Sequence, residues 1–107
     1  MSNINRVNVG KRLSDMAVHN GVAYLAGQVA DDTTQDITGQ TGQILAVIDK
    51  LLATAGTDKT RILMAQIFVA NMKEFDGMNK AWDAWVAEGN APPRATIEAR
   101  LASADYK

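Results

Sequence analysis

The chain has 107 residues, 47% of them apolar and 21% charged, with 11 basic side chains against 12 acidic ones. That composition belongs to a single globular domain spanning residues 1–107, and it excludes a disordered, collagen-like or coiled-coil chain. A net charge of −1 removes the electrostatic case for nucleic acid or an anionic membrane as a partner. The chain contains no cysteine, which excludes disulfides, thiolate chemistry, iron–sulfur clusters and cysteine zinc sites. A single histidine, His19, argues against a histidine-based metal site, and no metal is expected.

The N-terminal stretch MSNINRVNVGKRL lacks the apolar core of a secretory signal. The run from Met16 to Ala30 carries no Asp, Glu, Lys or Arg, but it is short for a membrane span and Asn20-Gly21 interrupts it. A soluble, cytoplasmic protein is the expectation. Asp15 to Val18 and Val22 to Val29 read as a β-hairpin, because Asn20-Gly21 suits a turn whose two central residues need positive φ. Asp31 to Asp36 is polar and reads as a loop. Ile37, Thr41, Ile44, Ile48, Leu51 and Ala55 recur at spacings of three and four, which predicts an amphipathic helix ending at Gly56. Gly39 and Gly42 weaken its first turns and blur where it starts.

Ile62 to Val69 is almost continuously apolar and predicts a strand buried on both faces. Asn71 opens a second helix, with Glu74 as a capping partner three residues on. Its apolar stripe is Met72, Phe75, Met78, Trp82, Trp85 and Val86, and Gly89-Asn90 closes it. Pro92-Pro93 forces an extended approach to the next element. There Ala95, Ile97, Ala99 and Leu101 alternate with Thr96, Glu98 and Arg100, a strand with one polar face. The class is α+β, with two helices on one face of a sheet. An apolar second sheet face then needs a cover, and oligomerisation through the sheet is the economical one.

Few residues stand out for chemistry. Glycine-rich phosphate loops of the usual spacings are absent. His19 sits beside the hairpin turn, and Asp31-Asp32 reads as a solvated pair. Arg94 follows Pro92-Pro93 at a strand start, where a rigidly held guanidinium could grip a carboxylate through two parallel hydrogen bonds. The plainer alternative is a surface arginine. Asn79 lies within the apolar stripe of the second helix and needs a partner, or else faces water at the stripe's edge. Met72, Met78, Trp82 and Trp85 read as core.

The segment from His19 to Val29, HNGVAYLAGQV, then Asn79-Lys80-Ala81-Trp82, then Pro93 to Glu98, PRATIE, resembles the reactive intermediate deaminase family, also called the YjgF superfamily. The motifs occur in the family's order and spacing and span almost the whole chain. The segment MNKAWDAWV is similar to the YoaB-like branch. The resemblance implies a chorismate-mutase-like fold and a homotrimer whose sheets form a central barrel, with a cleft between each pair of subunits. It implies that Arg94 is the family arginine and binds the carboxylate of a small metabolite. Asn79 and Gly27 would line the same cleft, and Thr96 stands where the best-studied members have a cysteine whose backbone helps hold the carboxylate. The implied reaction is hydrolysis of reactive 2-imino acids, of the 2-iminobutanoate and 2-iminopropanoate type, to 2-oxo acids and ammonia, without a cofactor.

The chain departs from the family pattern at three places. Leu13-Ser14-Asp15 replaces a tyrosine before the hairpin, and Ala26 replaces a cleft serine. After Tyr106-Lys107 the family continues with a Val-Glu-Ile-type strand whose glutamate helps position water. These departures leave a second reading open, a trimer that binds small carboxylates without turnover.

Overall fold

The computed structural model describes residues 3–107. Five strands and two α-helices follow in the order β1 (Asn5–Val9), β2 (Ser14–His19), β3 (Val22–Leu25), α1 (Ile37–Thr54), β4 (Ala65–Val69), α2 (Phe75–Trp85) and β5 (Arg94–Glu98). Short 3-10 turns at Lys59–Arg61 and Met72–Glu74 lead into β4 and α2. The extents are 47 × 37 × 20 Å. A thickness of 20 Å has room for one layer of helices on one layer of strands and nothing beyond. No helix among the described residues is long and apolar enough to cross a membrane.

The hairpin forms as its turn dictates. Asn20 and Gly21 take φ of 52° and 76°, and Met16 pairs with Leu25 and Ala17 with Tyr24. β3 stops at Leu25, short of the expected Val29. The Gln28 side-chain amide donates to the Ala26 carbonyl at 3.0 Å, and the chain leaves the ladder there. β1 was not anticipated from the sequence. Its only apolar members are Val7 and Val9, and it is held by antiparallel pairing with β2 rather than by a buried face.

α1 begins where its cap sets it. The Asp36 carboxylate accepts from the Gly39 backbone N–H at 2.9 Å, which removes the ambiguity left by Gly39 and Gly42. It ends before Gly56, whose φ of 79° lets the chain turn away. Gln40 is the buried polar residue of this helix. Its amide nitrogen donates to the carbonyls of Thr33, Gln35 and Asp105, and its oxygen accepts from the Lys107 N–H at 3.0 Å. One side chain thus ties the loop before α1 to the last residues of the chain.

The expected strand from Ile62 shortens to Ala65–Val69, because Ile62–Met64 pair with no strand. Asn71 caps the 3-10 turn by accepting from the Lys73 N–H, and Glu74 makes no side-chain cap bond to α2. α2 ends at Trp85, four residues before Gly89, when Val86 turns to ψ 140°. The Lys59 ammonium donates to the freed Trp85 carbonyl.

The strands form two sheets rather than one mixed sheet. β1, β2 and β3 make an antiparallel sheet, and β4 and β5 make a parallel pair. The cause is local: the edges of β3 and β4 carry no ladder to each other, and a trough runs between them. The main core lies between helices and the second sheet, where Ile37, Leu45, Val69, Met78 and Trp82 are buried together. Residues alternate along β4. Ala65, Ile67 and Val69 face the helices, while Gln66 and Phe68 face away, with Phe68 49% exposed beside its register partner Ile97. The strand is therefore apolar on both faces, as its sequence predicts, with the outer face uncovered in the single chain. β5 alternates in the less obvious phase. Its polar residues Arg94 and Thr96 turn inward and Ala95 and Ile97 turn outward.

The helices meet closely at Gly77. Thr38 donates its hydroxyl to the Gly77 carbonyl at 2.7 Å, and a Cβ on Gly77 would lie 2.7 Å from the Ile37 Cγ2. Gly42, within α1, has open space around it. Two formally identical substitutions should therefore act in opposite directions in urea denaturation. Gly42→Ala gains helix propensity and should stabilise by ~0.5–1 kcal/mol. Gly77→Ala gains the same propensity but overpacks the contact, which costs ~1–3 kcal/mol, and should destabilise.

Candidate functional site

Three of the residues singled out in the sequence come together at the start of β5. Pro92 is buried and the Pro93 carbonyl accepts from the Ala65 N–H, which docks the extended approach onto β4. Arg94 opens the strand with its side chain turned toward α2. There Phe75, Asn79 and Trp82 stand at spacings of four and three, on one stripe of the helix. The Arg94 Nη1 donates to the Asn79 Oδ1 at 2.7 Å. Its guanidinium carbon lies 5.2 Å from the centre of the Trp82 ring and 5.9 Å from that of Phe75, within cation–π range.

Asn79 has thereby found the partner that its place in the apolar stripe called for. The guanidinium is half-buried, and among the described residues its hydrogen-bond partner is a neutral amide. Its positive charge is not cancelled by that bond, and its other N–H groups remain as donors. Thr96 lies two residues along the same strand face, about 6.5 Å further by strand rise. Its Oγ1 is buried and has no hydrogen-bond partner among the described residues. A fixed planar cation and an unsatisfied hydroxyl on one strand face are a chemical match for a small anion with several acceptor oxygens.

Gly27 stands apart. It lies exposed beyond β3, in the wall of the trough between the sheets, and a side chain there would meet nothing within this chain. His19, expected as a turn residue, is instead the last residue of β2, paired with Val22, with its Nδ1 3.4 Å from the Asn3 carbonyl. The displaced acids lie elsewhere too. Hydrogen bonds from the Thr34 side chain and then its backbone N–H hold the Asp32 carboxyl below its usual range, and Thr60 does the same for Asp58. Both are exposed turn-forming residues, so neither is a poised acid or base for this site.

Trp82 was expected as core alone. Trp82 is indeed buried, but it also forms the bed on which Arg94 lies. The signal was present in the spacing of Phe75, Asn79 and Trp82. What the sequence alone lacked was the knowledge that Arg94 crosses that stripe.

The family model described as endoribonuclease L-PSP matches residues 3–107. A RutC family protein of Haemophilus ducreyi is 55% identical over 104 residues, covering 97% of this chain and 89% of that one. The RutC family protein YoaB of Escherichia coli is 43% identical over 102 residues, covering 95% and 89%. The chain belongs to the reactive intermediate deaminase, or YjgF, superfamily. A YjgF family structure from Neisseria meningitidis superimposes with a TM-score of 0.95 at 38% identity, covering 98% of this chain and 87% of that one. The mixed α and β architecture described above is thus the architecture of YjgF family members.

Thr96 offers a direct check on whether its hydroxyl serves folding. A buried hydroxyl without a partner opposes folding, and valine has nearly the same shape and suits a strand as well. Thr96→Val should raise the unfolding free energy by ~1 kcal/mol in urea denaturation. A loss of stability would mean that the hydroxyl has a partner in the folded protein.

Proposed function

We propose that the protein hydrolyses reactive 2-imino acids to 2-oxo acids and ammonia, with Arg94 as the carboxylate anchor. Superfamily membership supports a general role in deaminating imine and enamine intermediates. The observation that carries the finer reading is the state of Arg94: fixed by Asn79, stacked on Trp82, and left with an uncancelled charge. Such a cation is ready for a carboxylate at little further ordering cost. The endoribonuclease of the family model's description would call for a basic track for RNA phosphates, and 11 basic against 12 acidic side chains do not supply one.

The chemistry suits a plain site. Water adds to the protonated C=N carbon, the amine leaves as ammonia, and a 2-oxo acid remains. The substrate is already electrophilic and needs no covalent nucleophile. A tenfold acceleration requires only ~1.4 kcal/mol of transition-state stabilisation. Arg94 would hold the carboxylate, Asn79 would orient Arg94, and Thr96 would offer its hydroxyl to the same anion. The carboxylate also fixes which face of the imine meets water. Gly27 would contribute backbone from a neighbouring subunit, since it stands apart from Arg94 within one chain.

A homotrimer is part of this proposal. The outer face bearing Phe68, Ile97 and the 61%-exposed Tyr24 supports burial against other copies. Light scattering should give about three times the chain mass.

The second reading, carboxylate binding without turnover, is favoured by one feature. Among the described residues, no acid hydrogen-bonds to Arg94, Asn79 or Thr96 to activate water. Ammonia release from freshly generated 2-iminobutanoate separates the two. The deaminase reading predicts release above the buffer rate, returned to that rate by Arg94→Ala. Carboxylate affinity should fall by ~2–5 kcal/mol in Arg94→Ala. Arg94→Lys should also bind poorly, because an ammonium lacks the planar fork. Binding that depends on Arg94 without any gain in ammonia release would favour the second reading. Carboxylate binding unchanged in Arg94→Ala would dismiss both.

A further inference from the structure

The aromatic support beneath Arg94 does not end at Trp82. Trp85 follows one turn on along α2, and the two ring centres lie 5.4 Å apart with their planes tilted by 53°. Aromatic pairs attract each other at such separations. Contact therefore runs from the guanidinium to Trp82, and from Trp82 to Trp85.

Trp85 is in turn held from two other parts of the chain. Its indole Nε1–H donates to the Asp49 Oδ2 at 2.9 Å, a charge-assisted bond that ties the end of α2 to α1. The Lys59 ammonium lies 5.2 Å from the ring centre, within cation–π range. The same ammonium donates to the Trp85 carbonyl, so Lys59 grips both the ring and its backbone. Lys59 is placed by Asp58, whose carboxylate accepts from the Thr60 N–H and hydroxyl and shapes the 3-10 turn.

Core packing alone does not call for this. Trp85 is half-buried at the margin of the main core, where apolar neighbours would suffice and water could satisfy an indole N–H. Instead an anion and a cation are committed to one indole. A flip of the ring would break both contacts. The site has a use for such a fixed ring. Asn79 bonds one nitrogen of Arg94, and a single bond leaves the guanidinium plane free to turn about it. A carboxylate meets the planar fork only in one orientation of that plane. Contact with the rings is what sets it.

We propose that Trp85 is a positioning residue for the carboxylate anchor, with Asp49 and Lys59 as its supports. The pinned ring holds Trp82 at the tilt on which the guanidinium lies, and so keeps the fork aimed. The cluster acts through Trp82 and Arg94 rather than on a ligand. This inference rests on the reading of Arg94 as the anchor.

The test compares Asp49→Ala, Asp49→Asn, Trp85→Phe and Arg94→Ala in the full chain. Asp49 is exposed, so its substitutions leave the core in place. Asparagine keeps an oxygen that can accept the indole N–H, and alanine does not. Phenylalanine keeps a ring without the N–H. Affinity for 2-oxobutanoate is read by calorimetry. The mutual orientation of the chain's two tryptophans is read from their exciton couplet in circular dichroism. Asp49→Ala and Trp85→Phe should each weaken 2-oxobutanoate binding roughly 3- to 10-fold. The couplet should shrink in Asp49→Ala, and Asp49→Asn should restore both couplet and affinity. Undiminished affinity in Asp49→Ala and Trp85→Phe, with binding lost in Arg94→Ala, would overturn this inference and leave the anchor standing. Binding unchanged in Arg94→Ala would overturn the anchor and this inference with it. An affinity loss in Asp49→Ala that Asp49→Asn does not recover would also overturn it, since the indole bond would then not be the cause.

Discussion

Two helices cover one face of the strands, and in a body 20 Å thick no element among the described residues covers the other. That single layer of cover decides much of the rest. The inner residues of β4 meet α1 and α2 and form the core, while Phe68 and Ile97 on the reverse side stay half-exposed although they are large and apolar. It also leaves β3 and β4 with free edges on either side of a trough. A strand such as β4, apolar on both faces, is stable in water only where something else lies against its second face.

The inner face carries its own tension. Packing alone would fill positions 94 and 96 with apolar residues, since both turn toward the helix layer. The chain places a guanidinium and a hydroxyl there instead. The first is supported by one amide and two aromatic rings, and the second has no hydrogen-bond partner among the described residues. Half-burying a charge and stranding a hydroxyl both work against stability. Local rules of folding are broken at positions where something other than folding sets the residue. Here the two exceptions share one strand face and one kind of ligand.

Much of this was legible because it is local. Asn20-Gly21 names its turn, the three-and-four spacing from Ile37 names α1, and the apolar run around Ile67 names β4. β1 was not legible, since its two valines sit among polar residues and pairing with β2 is a long-range event. The division into two sheets was hidden for the same reason: a ladder that fails to form between β3 and β4 leaves no mark in either segment. Arg94 and Asn79 could each be singled out, but their bond joins positions fifteen apart through a helix crossing a strand. The role of Trp82 was hidden in plain sight, because a tryptophan on an apolar stripe reads as core whether or not a cation lies on it. The family motifs, in contrast, were carried by short segments in a fixed order, and they placed the chain in its superfamily without any knowledge of packing.

The central claim is that the Arg94 guanidinium, held by Asn79 and lying on Trp82, receives a carboxylate. The most direct measurement is a side-chain NMR titration with 2-oxobutanoate, a stable product of the proposed reaction, following the arginine Nε–H and tryptophan indole signals. The account predicts that the Arg94 signal shifts saturably together with that of Trp82, and that the other arginines and Trp85 stay in place. An Arg94 signal that does not move at saturating 2-oxobutanoate, or saturable shifts confined to another arginine, would contradict it.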